Sequence, residues 1–491
     1  MEEKKQRKNL PLIVGLSVFF ILAVALATLC YQLINRVGLF RQPGELSFTE
    51  EIPTTAREKL QESLDTTELK ANVQIGLSRQ LAKTDSDLLY NIYVPVSDFY
   101  DTNVSISSTD LETATLIPLN ELDAQHKLLA IDNNYYLDNF QSGAVFEYLE
   151  LTGESSQDLD LIHNLIKDTL PSFPNSDNVL SFAQTGVTAL SRGMNAKLKT
   201  TGDAKYFSAK ISDYLNKFDL THTSNESSFS NYATENNICS HPDMIDVITS
   251  SGIDIIELTG NHNQDCGDED AIATIDLYHS LGLQTVGGGP DQITAAESLG
   301  IKQKDNHITM LAYNLSTGGY TLDDTPGANY YTLEKATTDI AAAKTRGDFV
   351  IVDVQYNECS AYVDTAENTT CDYADSSAGD QIGFFRGLID LGADLVVGTS
   401  AHQPQTFELY HGKPIYYGLG NLFFDQYWWP GTTRSLVLEH YFYQNKLLQT
   451  RIIPTVYDST MQTELMDAES ANKFIQRLVQ ARPKDSEEVR K

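Results

Sequence analysis

Asp394-Leu-Val-Val-Gly398 running into Thr399-Ser-Ala-His402-Gln403-Pro404-Gln405, and Pro414-Ile-Tyr-Tyr-Gly-Leu-Gly420 running into Asn421-Leu-Phe-Phe-Asp425-Gln426, decide how this chain is read. Each is a short apolar run that stops abruptly in polar residues, the pattern of a buried strand followed by a loop. Upstream the pattern recurs. Ile253-Asp-Ile-Ile-Glu-Leu258 breaks into Thr259-Gly260-Asn261-His262, and Phe349-Val-Ile-Val-Asp-Val354 into Gln355-Tyr-Asn357-Glu358. In layered α/β folds, reactive groups collect just past the carboxyl ends of such strands. The four breaks therefore predict one polar site built from loops distant in sequence.

Working outward, apolar runs alternate with helical stretches after Val179, as in a layered α/β domain, here placed over 179–457. Strands are expected at 180–183, 253–258, 284–286 and 394–398, with helices at 243–250, 270–281 and 380–391. Gly287-Gly-Gly289-Pro290 lacks both the GxGxxG spacing and a P-loop lysine, which argues against a nucleotide site. Residues 35–59 read as a linker without strand period, and 458–491 as a charged, helical tail. Between linker and domain, 60–170 read as a small α+β module of unassigned role, bounded by Pro171-Ser-Phe-Pro174.

Residues 10–34 carry no charge and are rich in Leu, Ile, Val, Phe and Ala, enough to cross roughly 30 Å of hydrocarbon. Lys4, Lys5, Arg7 and Lys8 in the preceding tail, 1–9, favour a cytoplasmic N-terminus. The expectation is a single-pass cell-membrane protein with the bulk of the chain extracytoplasmic. Its 491 residues carry a net charge of −32, which opposes binding to nucleic acid or any other bare polyanion. Hydrophobic content of 41% marks a folded chain, not a disordered one.

Cys30 falls in the expected span, leaving Cys239, Cys266, Cys359 and Cys371 outside. Four cysteines allow three pairings; Cys239–Cys266 and Cys359–Cys371 are favoured. No two are spaced as CxxC, and oxidising surroundings make disulfides the default over zinc.

Among polar residues at the strand ends, Asn261 and His262 carry donor atoms suited to a borderline divalent ion, and His262 is a candidate general acid. His402, Gln355, Glu358 and Glu226 are further candidate ligands or bases. Asp265, Asn421 and Asp425 are placed to orient them by hydrogen bonds. Each has an ordinary alternative as a cap or a solvated loop residue; their recurrence at strand ends is what raises them.

The order of these motifs resembles the CapA family, linked to poly-γ-glutamate capsule synthesis and similar to calcineurin-type metallophosphoesterases. The matching parts are Glu257-Leu-Thr-Gly-Asn261-His262-Asn-Gln-Asp265-Cys-Gly267, Gly287-Gly-Gly289, Gly392-Ala-Asp394-Leu-Val-Val-Gly398 with His402-Gln-Pro-Gln405, and Gly412-Lys-Pro-Ile-Tyr-Tyr-Gly-Leu-Gly420-Asn421-Leu-Phe-Phe-Asp425. The resemblance implies a layered metallophosphoesterase-like fold and ligand roles for Glu226, Asn261 and His402, with Gln355 as a substitute. This chain departs from the family where an Asp usually follows a Gly near the first strand: Gly186 is followed by Val187, ahead of Arg192-Gly193. Gly398-Thr-Ser-Ala-His402 keeps one imidazole of a Gly-His-His-Pro-His run.

Two-metal hydrolysis needs ligands enough to hold both ions about 3.5–4 Å apart. The departures predict one weakly held divalent cation (Mn, Zn, Mg or Ca) or none. The function expected is synthesis, export or attachment of an anionic surface polymer, poly-γ-glutamate, beside other capsule-synthesis membrane subunits. The rivals are a metal-dependent hydrolase of phosphoesters or γ-glutamyl amides, and a scaffold with a vestigial site.

Overall fold

Strands that are apolar on both faces need cover on both faces, and in the larger part of this chain two such sheets cover each other. The computed structural model describes residues 44–50, 52, 69–84, 86, 88–167, 173–316, 318–356, 380–428 and 431–486. The expected membrane span, Glu358 and the Cys359–Cys371 pair lie outside the described residues. Among those described, no helix is long and apolar enough to cross a membrane. The chain divides into two units, one of 1–97, 103–122 and 128–176, the other of 98–102, 123–127 and 177–491.

In the larger unit the first sheet runs in the order Gln284–Val286, Ile255–Glu257, Leu220–Asn225, Leu180–Thr188, Arg434–Tyr443, Lys446–Val456, Glu464–Leu465. Its first four strands are parallel, and Asn421–Phe423 adds in parallel to Leu180–Thr188. The second sheet runs Leu299–Gln303, Asn306–Asn314, Phe349–Gln355, Leu395–Gly398, Lys413–Tyr416, Phe407–Tyr410, with the middle four parallel.

Three hydrophobic clusters show the layering. Phe182, Leu220 and Ile255 of the first sheet meet Met310, Ile351, Leu395 and Val397 of the second. The first sheet's other face packs on Met194, Leu198, Val247, Ile248 and Tyr278 of helices. The second's packs on Ala336, Ile340, Phe385 and Leu388. The order is helix, sheet, sheet, helix.

Helix boundaries follow local chemistry. Helix Asp268–Ser280 opens with Asp268, Glu269 and Asp270, which complement the positive end of its dipole. Helix Leu333–Thr345 is capped by Thr332, whose hydroxyl accepts from Lys335 N. Strand and helix positions expected from sequence lie within a few residues of those observed, except that the first strand is longer, Leu180–Thr188.

Two expectations are corrected. The tail is not separate: Phe474 and Leu478 of helix Ala468–Gln480 are buried in the intersheet cluster, because that helix presents an apolar stripe on an otherwise charged surface. The linker also contributes structure: Leu46–Phe48 pairs in parallel with Val73–Ala82. That strand opens the smaller unit's sheet, which continues through Ser142–Gly153 and Leu89–Asp98 to Thr115–Pro118, with helix Ser156–Lys167 adding Ile162 to its core. Two further short strands are His126–Leu128 and Ala130–Ile131.

Candidate functional site

The carboxyl ends of the parallel strands in both sheets lie at one edge of the sandwich, and two largely buried side-chain bridges join the sheets there, across their line of contact, the cleft. At one, Gln355 Nε2 donates to Asn261 Oδ1 at 3.0 Å. At the other, His402 Nδ1 lies 2.9 Å from Asn421 Oδ1, while Asn421 Nδ2 donates to Gln426 Oε1 and to the Thr432 carbonyl. Gln355 ends a strand of the second sheet and His402 follows another, whereas Asn261 follows a strand of the first sheet and Asn421 opens one. Asn314 adds a third link, donating to the Thr259 carbonyl at 2.7 Å.

The first sheet sets the order along the cleft. Val187 pairs with Ser224 on one side and Asn421 on the other, so the strand Leu180–Thr188 runs between those bearing Asn225 and Asn421. Glu226, buried, follows Asn225, and its N–H donates to the Thr188 carbonyl. A Cβ on Gly260 would lie 2.9 Å from Glu226 Cγ; the absence of a side chain there lets the loop carrying Asn261 rest against Glu226.

His262 takes part in neither bridging hydrogen bond. Its Nδ1 is 2.8 Å from Asp265 Oδ2, and both side chains are partly exposed. The loop bearing the pair is tied down by the Cys239–Cys266 disulfide, as expected. Asp425, foreseen as a supporting group, accepts from Arg192 Nη2 at 2.6 Å and from Gly193 N at 2.8 Å.

Sequence reasoning missed Arg192. It sits between strand and helix with φ 51° and ψ −112°, and its guanidinium lies 4.6 Å from the Phe424 ring centre. His402 packs on the same ring, with centroids 5.4 Å apart. The available signal was an arginine at a strand end in a chain with 35 basic against 67 acidic residues.

A polar network beneath the cleft was also missed. His440 Nε2–H donates to Gln184 Oε1, whose own Nε2 donates to Asp353 Oδ1 at 2.6 Å. His222 Nε2 lies 3.2 Å from Asp353 Oδ2, with neither side chain exposed. Burial, then the His222 charge, pushes the His440 imidazole down to about 3. His440 is therefore neutral, and its Nδ1 accepts from Thr450 Oγ1. Glu257, also fully buried, accepts from both the N–H and the hydroxyl of Thr259. Burial, followed by the Asp353 carboxylate, raises its pKa. The signal for this network was acidic residues inside otherwise apolar strands.

Residues 181–426 match the model of the bacterial capsule synthesis protein PGA_cap, beginning in the first strand of the sandwich and ending just past Asp425. The chain belongs to the PGA_cap family. Among relatives, it is 28% identical over 199 residues to a probable polyglutamine synthesis accessory protein of Mycobacterium tuberculosis, covering 38% of this chain and 49% of that one. It is 24% identical over 274 residues to the PGA biosynthesis protein CapA of Bacillus subtilis, covering 54% and 68%. It is also 24% identical over 204 residues to the capsule biosynthesis protein CapA of Bacillus anthracis, covering 40% and 46%. The chain thus spans about half the length of the first of these relatives. Among solved structures, TT1561 of Thermus thermophilus aligns at 8% identity with a TM-score of 0.30, over 54% of this chain and 99% of that one.

The donor set does not fit a dinuclear metal centre of the kind the family resemblance implies. Val187, fully buried between Ser224 and Asn421, follows Gly186 at the position where the family resemblance implies an aspartate. The Asn261 oxygen already accepts a hydrogen from Gln355. Among the described residues, no three His, Cys, Asp or Glu side chains are grouped to hold an ion.

Proposed function

We propose that this chain is a membrane-anchored, outward-facing protein of metallophosphoesterase-like architecture that holds poly-γ-glutamate during its synthesis, export or attachment. The observation that carries the reading is the extent of the family match, which takes in every residue of both bridges across the cleft. Chemistry supports it. The cleft is lined by side-chain amides, which both donate and accept, as the γ-amide of such a polymer does. With one carboxylate, Glu226, among the proposed ligands, the cleft holds at most a single, weakly bound divalent ion.

The reading predicts that deleting the gene lowers γ-linked glutamate at the surface of the cell that carries it. Wild-type chain restores the polymer; a chain carrying Asn261→Ala and Asn421→Ala, present at equal membrane level, does not. Full restoration by the double variant would refute a role for the cleft and favour a scaffold.

A further inference from the structure

The geometry points to Arg192 as the anion-reading group of the cleft, taking a free carboxylate of the polymer; this rests on the polymer reading above. Any site for a polyanion on a chain of net charge −32 needs a local cation. Arg192 follows the strand that runs between Asn225 and Asn421, and its side chain is about one-quarter exposed.

Its pairing leaves donors unused. Asp425 gives one oxygen to Arg192 Nη2 and the other to Gly193 N, so the guanidinium meets the carboxylate at a single point and not as a two-point fork. Arg192 Nε is buried and bonded to no described residue. The hydroxyls of Ser191, beside it, and of Thr399 and Ser400, in the loop leading to His402, are likewise buried without a described partner. Buried polar atoms in folded proteins are nearly all satisfied, so the unpartnered Arg192 Nε, beside an ion pair that engages only Nη2, points to a ligand or solvent.

The backbone adds a second argument. A positive φ at a residue with a side chain is strained, and such strain gathers at functional sites. Glycine would remove that strain, yet an arginine stands here, seated by Asp425 and by the face of Phe424.

The test is calorimetric titration of the full chain in detergent with a γ-linked glutamate decamer and with the same decamer fully methyl-esterified. Arg192→Gln should weaken the acid decamer about tenfold to a hundredfold, as expected for a charge-assisted hydrogen bond, and leave the ester unchanged. Arg192→Lys should fall between, having charge without the planar fork. Asp425→Asn keeps an acceptor oxygen but removes the competing charge, and should tighten acid binding, which a purely structural Arg192–Asp425 pair would not do. Wild-type affinity for the acid decamer in Arg192→Gln overturns this inference alone. So does equal affinity of the wild type for acid and ester. If Arg192→Gln does not fold, weaker acid binding by Asp425→Asn overturns it instead. A wild type that binds neither decamer removes the polymer reading, and this inference with it.

Discussion

Replacing His440 by Gln should flatten the acid limb of this protein's stability curve. The imidazole is fully buried, donating to Gln184 and accepting from Thr450, and burial followed by the His222 charge pushes it down to about 3 from an ordinary 6.5. A depressed histidine stabilises the fold above its unfolded value; that contribution is lost as pH falls, because only the unfolded chain takes the proton. Between pH 6.5 and pH 5 the two values give a loss of about 1.7 kcal/mol from this one group. The assay is urea denaturation of the full chain at both pH values, followed by the fluorescence of Trp428 and Trp429, the two tryptophans of the sequence. Gln at 440 should lower stability at neutral pH by about 1–3 kcal/mol through the broken relay. Its loss between pH 6.5 and pH 5 should nevertheless be about 1.7 kcal/mol smaller than the wild type's. Parallel losses in the two proteins would refute the claim that His440 is held neutral.

Replacing both Cys239 and Cys266 by Ala should cost about 3.5 kcal/mol in denaturant melts, the loop-entropy value for a closure spanning 27 residues. Zinc or manganese titrated into the full chain should show no micromolar binding at two ions per chain, and a stoichiometry near two would overturn the argument from Val187.

The repeated pattern of apolar run and polar break was legible because it is local: each strand carries its own hydrophobic run, and helices such as Leu333–Thr345 and Gln381–Asp390 carry their own cap. That placed Asn261, Gln355, His402 and Asn421 at strand ends before any coordinates. Partnership was not legible. Which amide meets which imidazole depends on the spacing of two sheets built from separate blocks of the chain, and no local period encodes that distance. Asn261 and His262 are neighbours in the chain, yet Asn261 meets Gln355 of the facing sheet while His262 pairs with Asp265 of its own loop.

Arg192 and the buried network show the same division from the opposite direction. Their residue types were plain in the sequence, but an arginine at a strand end reads as a surface charge until Asp425, 233 positions later, is seen to seat it. Asp353 likewise reads as an anomaly in an apolar strand until Gln184 and His222 arrive from the facing sheet. Sequence alone determined the layers, the strand ends and the family pattern, since these follow from short-range hydrophobic order. Only the packed sandwich decided the chemistry of the cleft, because burial and the approach of remote side chains set charge, protonation and reach.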